Sequence, residues 1–448
     1  MRSLVLAGGG MRVAWQAGVI RALEEEDLTF DHVDGASGGI MTAAMMLSGV
    51  SGVEMCDRWR GLSASAFTSL LPLHEYLTGP WSLPAIGDAD AIVQTVLPRL
   101  GIDVERMRRS EIAGTFQIVE FTTKECRSLE PGDLDLELLA AGMSLPGWLT
   151  PLRRGDEVFT DAVWVRDAGV AEAVRRGADE IWLVWCIGNT PYFGDGPLEQ
   201  YVHMIEMSAM GALLADFELA RALGRDFTLH VVAPRHPLPL DPEFYLGRIS
   251  SDALLAMGYR DARAYLDGRS GAGVPKDATC TRMTDPPVSV RITDRLRGRV
   301  GADEVDATFT VEVPLDASAS AAASVSAPAS EGSLVGAVTI PGEGTVYLAG
   351  GEVALVDGAL TYTGTVRRGG RDVALRCVRT LRDDPGPDAW GDFTEATLTI
   401  GGDAGTVSAG IGGVAHLIAS IEPVGAHGLL QRADAVRRFL GLLSSVRV

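Results

Sequence analysis

A Gly-x-Ser-x-Gly pentapeptide occupies residues 35–39, where a strand-like run ends and an apolar helix-like run begins. A sharp turn between a strand and a helix needs residues without bulky side chains, and Gly35 and Gly39 supply that clearance. A serine held above a helix N-terminus can act as a nucleophile, whereas a free serine hydroxyl is a poor one. The alternative is a tight turn capped by Ser37, which a chain with 53 glycines also allows. The pentapeptide therefore predicts a strand–turn–helix unit with Ser37 as a candidate nucleophile.

A second glycine-rich turn, Gly8-Gly9-Gly10, lies upstream between an apolar run at 3–7 and a helical pattern at 13–26. A loop of this kind leaves backbone N–H groups unpaired at a helix N-terminus, where a phosphate or an oxyanion is favoured. Nucleotide binding is the alternative, but the spacing lacks Gly-x-Gly-x-x-Gly and no Gly-Lys-Ser/Thr follows. The loop is therefore a candidate oxyanion site.

Strand-like and helix-like segments alternate through the first 270 residues. The uninterrupted apolar run at 181–187 is typical of a central parallel strand, and residues 40–47 predict a helix that is apolar nearly all round. This alternation predicts a mostly parallel sheet that is covered by helices on both faces.

Further motifs follow the two glycine turns in a fixed order. Arg12 follows the first turn, a Ser-x-Pro-Gly run occupies 144–147, and Asp161 precedes a segment at 170–181 that begins with a helical pattern. In this order the motifs resemble those of the patatin-like lipid acyl hydrolases, over about the first 270 residues. The resemblance implies a three-layer α/β/α fold with a mostly parallel central sheet.

The resemblance also implies roles for individual residues. Ser37 would be the nucleophile and Asp161 the general base of a dyad that contains no histidine, in an enzyme of phospholipase A or carboxylesterase type. The substrate would be an acyl lipid, and no metal or cofactor would be required. An aspartate is a weak base at its ordinary pKa of about 3.9, so this role predicts a desolvated Asp161. The residues that would form the oxyanion and substrate-binding loop are Gly8, Gly9, Gly10, Met11, Arg12 and Gly38.

The chain departs from the family pattern at three positions. Val13 stands where the family usually has glycine, and Ala162 and Val163 follow Asp161 where the family usually has Gly-Gly or Gly-Ala. Side chains at these positions restrict the backbone that would carry the base. Two alternative functions therefore stay open: a catalytically impaired protein that binds lipid or acts as a scaffold, and an acyltransferase, which uses the same acyl-enzyme.

An ordinary α/β-hydrolase triad, completed by His236, is a further alternative. The nucleophile turn of that fold normally follows several strands, whereas here one strand and one helix precede it. His32 and His74 are interpreted as surface or loop residues. Asp34 lies three residues before Ser37, and we expect its side chain to point away from the turn.

A segment rich in Ser, Leu, Pro and aromatic residues occupies 63–86, and it keeps neither a helical nor a strand period. It includes Leu70, Leu73 and Trp81. One interpretation is a lid that lines an acyl-chain pocket or contacts a lipid surface, and the other is an ordinary packed loop.

Charge and composition limit the partners. A formal net charge of −20 argues against nucleic acid and against electrostatic adhesion to anionic lipid. The five cysteines show no Cys-x-x-Cys spacing, which indicates neither zinc nor a disulfide framework. The absence of a signal-peptide pattern and of a long apolar run predicts a cytoplasmic protein that contacts a lipid surface transiently. The sequence does not indicate an oligomeric state.

Composition changes after a predicted linker at 271–287, which separates a domain at 1–270 from one at 288–448. The second half contains alternating or β-branched runs separated by glycine turns, which predict an antiparallel sandwich or barrel. We also expect a low-complexity loop at 316–333 and an amphipathic helix at 429–443.

One part of the second half resembles a β-rich segment that accompanies cholesterol-oxidase-like flavoenzymes. The resemblance rests on residues 381–385, 390–392 and 394–398. It implies a module that binds lipid or presents substrate, and the alternative is a structural or dimerisation domain.

Overall fold

The computed structural model describes residues 1–67, 69–77, 79, 82–239, 249–315, 332–356, 359–380 and 394–445. Its internal contacts group the chain into two compact units, Met1–Gly247 with Tyr265–Thr284 and Arg248–Ala264 with Asp285–Val448. The domain bounds at 270 and 288 stay a prediction. Trp81, most of the loop predicted at 316–333, and residues 381–392 lie outside the described residues.

Eight β-strands form the central sheet of the first unit. They are β1 (Arg2–Leu6), β2 (His32–Ala36), β3 (Ala113–Glu120), β4 (Glu125–Leu129), β5 (Leu152–Arg154), β6 (Glu157–Asp161), β7 (Glu180–Val184) and β8 (Thr228–Val232). Parallel pairing joins β3, β2, β1, β7 and β8 in that order. β4 and β6 pair with β3 in antiparallel, and β5 pairs with β6. The predicted mostly parallel sheet is confirmed, with antiparallel strands at one edge.

Helices connect these strands. They are α1 (Ala14–Glu25), α2 (Gly39–Leu47), α3 (Gly52–Arg60), α4 (Leu73–Tyr76), α5 (Leu97–Arg99), α6 (Val104–Arg108), α7 (Leu136–Ala141), α8 (Val170–Arg175) and α9 (Pro197–Ala222). A further helix, α10 (Ser251–Gly268), follows β8, and most of its residues belong to the second unit. Turns of 3₁₀ helix lie at Gly10–Val13, Ala64–Phe67 and Pro131–Asp133, and a π-helical stretch at Ile92–Val96 leads into α5. Ser51 caps α3 as its sequence predicts, because its hydroxyl accepts the amide of Glu54 at 3.3 Å.

The sheet buries its apolar side chains under helices. Val5 of β1 and Leu183 of β7 share one buried cluster with Phe217 of α9. α2 packs against β1, β2 and β3. Every residue of α2 except Met46 is buried, which explains why its sequence is apolar nearly all round. The α/β layers that the sequence predicts are therefore present, with α2 central to them.

A closed β-barrel forms the second unit. Its strands are β9 (Ser289–Val300), β10 (Asp303–Pro314), β11 (Gly332–Ile340), β12 (Gly344–Val356), β13 (Ala359–Arg368), β14 (Arg371–Thr380), β15 (Glu395–Ile400) and β16 (Asp403–Ser408). A short further strand, β17 (Glu422–Val424), pairs with β9 beside this ring. Each strand from β9 to β16 pairs in antiparallel with the next, and β16 pairs with β9. Of the two predicted architectures, sandwich and barrel, the structure is an eight-stranded barrel.

Two helices follow the barrel strands, α11 (Gly410–Ala419) and α12 (Gly428–Ser445). α12 contributes Ala435 and Phe439 to the buried barrel core. The same core contains an ion pair, because Arg379 donates to Asp294 over 2.8 Å and both side chains are buried. The predicted amphipathic helix is therefore present, and its apolar side faces its own unit.

Candidate active site

Ser37 lies at the turn between β2 and α2. Its backbone has a φ of +49°, a left-handed value that a residue with a Cβ adopts at a cost. The flanking glycines allow the strand and the helix to approach each other. A Cβ at Gly39 would lie 2.2 Å from the Leu6 carbonyl oxygen, and one at Gly35 would lie 2.9 Å from the Cβ of Ala43. The predicted strand–turn–helix unit is present, and Ser37 is its strained residue.

Asp161 is the hydrogen-bond partner of Ser37. The serine Oγ donates to Asp161 Oδ2 over 2.7 Å, and the Val163 amide donates to Asp161 Oδ1 over 2.8 Å. The carboxyl group is 2 % exposed, and this burial raises its pKa to about 7, against the opposing effect of the hydrogen bonds. An aspartate with this pKa can accept a proton near neutral pH.

The Ser-x-Pro-Gly run fixes the end of the strand that carries Asp161. The Ser144 carbonyl accepts the Asp161 amide over 3.2 Å and the Thr160 hydroxyl over 2.8 Å. The Ser144 hydroxyl donates in turn to the Ala140 carbonyl in α7 over 2.9 Å. These bonds join the end of β6 to α7, so the motif holds Asp161 in place.

The three residues that depart from the family pattern are buried. Ala162 is 0 % exposed and Val163 is 3 % exposed, and the Ala162 carbonyl accepts the amide of Val165 over 2.8 Å. Val13 packs beside the turn, because a Cβ at Gly38 would lie 2.7 Å from Val13 Cγ1. These side chains therefore fit the backbone that brings Ser37 and Asp161 together.

The glycine loop lies against the same turn. A Cβ at Gly38 would lie 2.8 Å from the Gly10 carbonyl oxygen and 3.1 Å from its nitrogen, so the two backbone segments are in contact. Within the described ranges, the amides of Gly9, Gly10 and Gly38 have no protein acceptor. They are therefore the backbone donors that an anionic group at Ser37 could use.

Gly8 differs from the other glycines of the loop. Its amide donates to Asp167 Oδ2 over 3.0 Å, and its carbonyl accepts the Cys186 thiol over 3.1 Å. A Cβ at Gly8 would lie 2.7 Å from the Cβ of Ser37 and 2.3 Å from Asp167 Oδ1. The side chains of Ser37 and Asp167 therefore both lie close to Gly8, whose amide already has an acceptor.

Arg12 and Met11 belong to the 3₁₀ turn that follows the loop. The Arg12 Nε and the Arg12 amide both donate to the Gly9 carbonyl, over 2.9 Å and 3.1 Å. Met11 is 5 % exposed. Arg12 thus closes the glycine loop on itself, which is a structural role.

Asp167 is a residue that the sequence interpretation does not single out. It is 0 % exposed, and its Oδ1 has no hydrogen-bond partner among the described residues. Burial raises its pKa well above the ordinary value and the charge of Asp161 raises it further, while the Gly8 amide and Arg12 act in the opposite direction. The available signal was its place in the loop that follows Asp161, directly before α8.

Asp34 points away from Ser37, as expected. Its Oδ2 accepts the Thr115 hydroxyl and the Gln117 amide nitrogen, each over 2.6 Å, and its Oδ1 accepts the Gly169 amide over 3.0 Å. Burial raises its pKa to about 6 against the effect of these bonds. Asp34 therefore ties β2 to β3 and to the start of α8.

His32 is buried at the start of β2, and its interpretation as a surface or loop residue is wrong. Its Nδ1 lies 2.7 Å from the Ser3 hydroxyl and its Nε2 lies 2.9 Å from the Thr115 hydroxyl. Because Thr115 donates its one proton to Asp34, His32 must carry its proton on Nε2 and accept from Ser3 at Nδ1. Burial lowers the pKa of His32 to about 4, so the ring is neutral at pH 7.

His236 does not contact Ser37. Its Nδ1 lies 2.9 Å from the Thr284 carbonyl oxygen, and the hydrogen-bond partner of Ser37 is Asp161. Across the described ranges, no group of three or more His, Cys, Asp or Glu side chains is arranged to hold a metal ion. In the same part of the chain, no helix is both long and apolar enough to cross a membrane.

The segment at 63–86 is joined to the run that precedes Asp161. Leu70 forms a β-bridge with Gly87, and Gly87 forms another with Leu149. The Ile86 amide donates to the Gly147 carbonyl over 3.1 Å. The segment therefore lies beside the Ser-x-Pro-Gly run.

The same segment presents leucines to solvent. Leu70, Leu73 and Leu77 are 67 %, 83 % and 86 % exposed. Leu73 and Leu77 are four residues apart at α4, a spacing that places helical side chains on one face. Leu73 and Leu77 thus form a small exposed apolar group at α4.

A cavity of about 470 Å³ opens at the other ends of the strands, where β1, β7 and β8 begin. It is lined by Arg2, Glu180, His230 and Arg269, among others. Arg2 and Glu180 form an ion pair with each other at 2.8 Å. The cavity contains neither Ser37 nor Asp161, so it is separate from the candidate active site.

Comparison with known proteins agrees with the motif order. Residues 4–174 match the family model described as patatin-like phospholipase, so this part of the chain carries a patatin-like domain. No curated protein matches the sequence.

Two solved structures are similar to this chain. VipD from Legionella pneumophila has 12 % identity and a TM-score of 0.30, over 59 % of this chain and 66 % of its own length. The type III effector protein ExoU has 16 % identity and a TM-score of 0.25, over 59 % of this chain and 52 % of its own. The chain thus spans less than two thirds of either structure, and TM-scores of this size establish nothing further.

Proposed function

We propose that this protein is a serine-dependent lipid acyl hydrolase of phospholipase A or carboxylesterase type. The observation that carries the proposal is the 2.7 Å hydrogen bond from Ser37, at a strained turn, to the buried carboxyl group of Asp161. The match of residues 4–174 to the patatin-like phospholipase family supports a lipid ester as the substrate.

The reaction proceeds through an acyl-enzyme. Ser37 Oγ attacks the carbonyl carbon of the ester while Asp161 takes the hydroxyl proton. The oxyanion of the tetrahedral intermediate accepts hydrogen bonds from the free amides of the glycine loop and Gly38, each worth about 10²–10³ in rate. The alcohol leaves with the proton from Asp161. Water then attacks the acyl-enzyme while Asp161 takes one of its protons. Asp161 returns this proton to Ser37 Oγ as the bond between the acyl group and the serine breaks, and the fatty acid is released.

The leucines of the 63–86 segment are the surface that contacts lipid. Between residues 61 and 98 the chain contains no lysine or arginine, so this surface has no cation for an anionic head group. Burial of apolar side chains is therefore the driving force, at about 25 cal/mol per Å². This segment supplies the transient contact with a lipid surface that such a hydrolase needs.

The rival functions share the same site. The Gly8 amide is bound to Asp167 and is not available to an oxyanion, which favours a protein that binds lipid with little turnover. An acyltransferase differs from a hydrolase only in using an alcohol in place of water in the second step. The reactivity of Ser37 and the identity of the product therefore distinguish the three functions.

A fluorophosphonate probe tests the proposal, since it reacts covalently with activated serines. We expect labelling of the wild type, no labelling of Ser37→Ala and labelling about 10²-fold slower for Asp161→Asn, because a general base contributes about 10²–10⁴. Ser48→Ala, which alters a buried serine that bonds to the Asp103 backbone, is the matched control and should react like the wild type.

Each other outcome assigns a different function. A folded wild type that does not react, and that hydrolyses no ester in a panel of defined acyl lipids, is the impaired lipid-binding protein. Labelling that survives Ser37→Ala identifies another nucleophile and rejects the site. Products in which added glycerol or lysolipid carries the acyl group identify an acyltransferase.

A further inference from the structure

Asp167 places a second carboxyl group beside Ser37, and the reaction described above does not use it. The two side chains lie close together at Gly8, since Ser37 Cβ and Asp167 Oδ1 are 2.7 Å and 2.3 Å from the point that a Gly8 Cβ would occupy. Asp167 Oδ2 accepts the Gly8 amide over 3.0 Å. Asp167 is thus the contact that fixes the first residue of the glycine loop.

The other carboxyl oxygen of Asp167 is buried without a partner. Oδ1 has no hydrogen-bond partner among the described residues, and the side chain is 0 % exposed. An ionised carboxylate in this position would leave a negative oxygen without water and without a donor, which is costly. A protonated carboxyl group leaves only a hydroxyl there, while its carbonyl oxygen still accepts the Gly8 amide.

The charged and titratable groups around Asp167 come from three elements. Asp161, at the end of β6, is negative when it acts as a base and opposes a second negative charge nearby. Arg12, from the 3₁₀ turn, is positive and favours ionisation of Asp167, but it also donates to the Gly9 carbonyl. The Cys186 thiol, which follows β7, donates to the Gly8 carbonyl. Two carboxyl groups in one buried site do not both ionise easily.

We propose that Asp167 is a positioning residue whose carboxyl group must be uncharged for turnover. Its neutral form holds Gly8, and with it the free amides of Gly9 and Gly10, against Ser37. Its ionised form adds a negative charge beside the position where the oxyanion develops, which raises the free energy of the transition state. This role rests on the proposed function, because it concerns the same serine.

Asp167→Asn tests this role, since asparagine keeps an oxygen acceptor for the Gly8 amide and cannot ionise. We expect kcat/KM of the wild type to fall at alkaline pH as Asp167 ionises, and the variant to retain most of the neutral-pH activity without that fall. Asp167→Ala loses the contact to Gly8, and we expect kcat about 10²-fold lower, the scale of a small misplacement of reacting groups. An Asp167→Asn enzyme that keeps the wild-type alkaline fall overturns the proposal.

Asp216→Asn is the matched control. Asp216 is another buried aspartate, 4 % exposed, which accepts the Ala171 amide of α8 over 2.9 Å and pairs with Arg166. Ala171 and Arg166 both lie outside the glycine loop. We expect this variant to lose stability and to keep the alkaline fall of the wild type.

A second measurement does not need turnover. Because the folded pKa of Asp167 lies above its unfolded value, the folded state binds more protons between the two, and Asp167 lowers stability as pH rises through that window. We expect the Tm of Asp167→Asn to fall less with rising pH than that of the wild type. If Tm changes with pH equally in the wild type and in Asp167→Asn, the proposal of a neutral Asp167 carboxyl group is rejected. This measurement is independent of activity, so a wild type that hydrolyses no ester rejects the proposed function alone.

Discussion

At Asp161, two opposite effects act on one carboxyl group. Burial favours the protonated form, whereas the hydrogen bonds from Ser37 and from the Val163 amide favour the charged form. Burial is the larger effect, and the resulting pKa of about 7 makes Asp161 a far stronger base than an exposed aspartate. The residue thus gains basicity from the same desolvation that makes its ionisation unfavourable in the folded state.

This pKa predicts an acid limb in the rate profile. In the proposed mechanism the ionised carboxylate is the base, so we expect kcat/KM for a soluble short-chain ester to fall about tenfold per pH unit below about pH 7. Asp161→Asn should be slow and show no such limb. A limb near pH 4 instead would indicate an Asp161 that is solvated during the reaction.

One side-chain atom, the Sγ of Cys186, limits the space for a side chain at Gly9. A Cβ at this position would lie 2.3 Å from Cys186 Sγ but 3.8 Å from Cys186 Cβ, which is an ordinary contact. We expect Gly9→Ala to cost about 1–3 kcal/mol through overpacking and to slow labelling of Ser37. The double variant Gly9→Ala/Cys186→Ala should recover most of both losses. Thermal unfolding and probe labelling check this, with Cys186→Ala as the control; without such recovery, the constraint on Gly9 is not the thiol.

At the scale of elements, β2 leads into the turn at Ser37 and also contacts the loop before α8 through Asp34. Asp34 on the same strand accepts the Gly169 amide at the start of α8, in the loop region that also holds Asp161 and Asp167. β2 therefore positions the candidate nucleophile Ser37 and, through the carboxyl group of Asp34, also holds the segment that follows the candidate base Asp161.

Gly169→Ala tests the contact between Asp34 and the start of α8. A Cβ at Gly169 would lie 2.4–2.5 Å from the carboxyl atoms of Asp34, so we expect a loss of about 1–3 kcal/mol and slower labelling of Ser37. Gly211→Ala in α9 is the control for the same chemical change, because a Cβ there meets nothing within 4 Å. It should stabilise the protein by about 0.5–1 kcal/mol. Calorimetry separates the two, and equal effects would contradict the role of Asp34.

Much of the fold could be predicted because local patterns were strong. The apolar run of β7 and the all-round apolar pattern of α2 have one interpretation each, a buried strand and a buried helix. α11 could not be predicted, because Gly410, Gly412 and Gly413 disfavour a helix in isolation and tertiary packing stabilises it. β11 could not be predicted either, because it directly follows the low-complexity segment and Gly336 interrupts its pattern.

The candidate site also contains residues that could be predicted from the sequence and residues that could not. Ser37 and the glycine loop lie in short motifs that the chain spells out locally, and their order made Asp161 the candidate base. Asp167 could not be found from spacing, because its contact with Gly8 joins residues 159 positions apart. The burial that sets the pKa of both aspartates is likewise a property of the folded molecule and not of the local sequence.

At the scale of the whole molecule, the net charge and the exposed leucines have opposite effects on binding to an anionic lipid surface. The net charge of −20 repels an anionic surface over about one Debye length, roughly 10 Å at 0.1 M salt. Leu73 and Leu77 favour any lipid surface, whatever its charge. Lipid composition and salt should therefore control access to the substrate.

We expect faster hydrolysis of phosphatidylcholine in neutral vesicles than in vesicles that also contain phosphatidylserine, at low salt. Higher salt should reduce this difference, because screening weakens the repulsion. Leu73→Ser/Leu77→Ser should slow hydrolysis in both vesicles and leave a soluble ester unaffected. A preference for anionic vesicles, or a leucine variant that also loses activity on the soluble ester, would contradict this assignment of the surface.

The closure of the barrel has a consequence for how the chain is made. β9 pairs along one edge with β10, but its other edge is completed by β16 and β17, which are synthesised after β9 to β15. Until they arrive, two unsatisfied strand edges are open to pairing with other chains. A chain cut after β15 would keep every residue named in the acyl-transfer chemistry and would still be prone to aggregate.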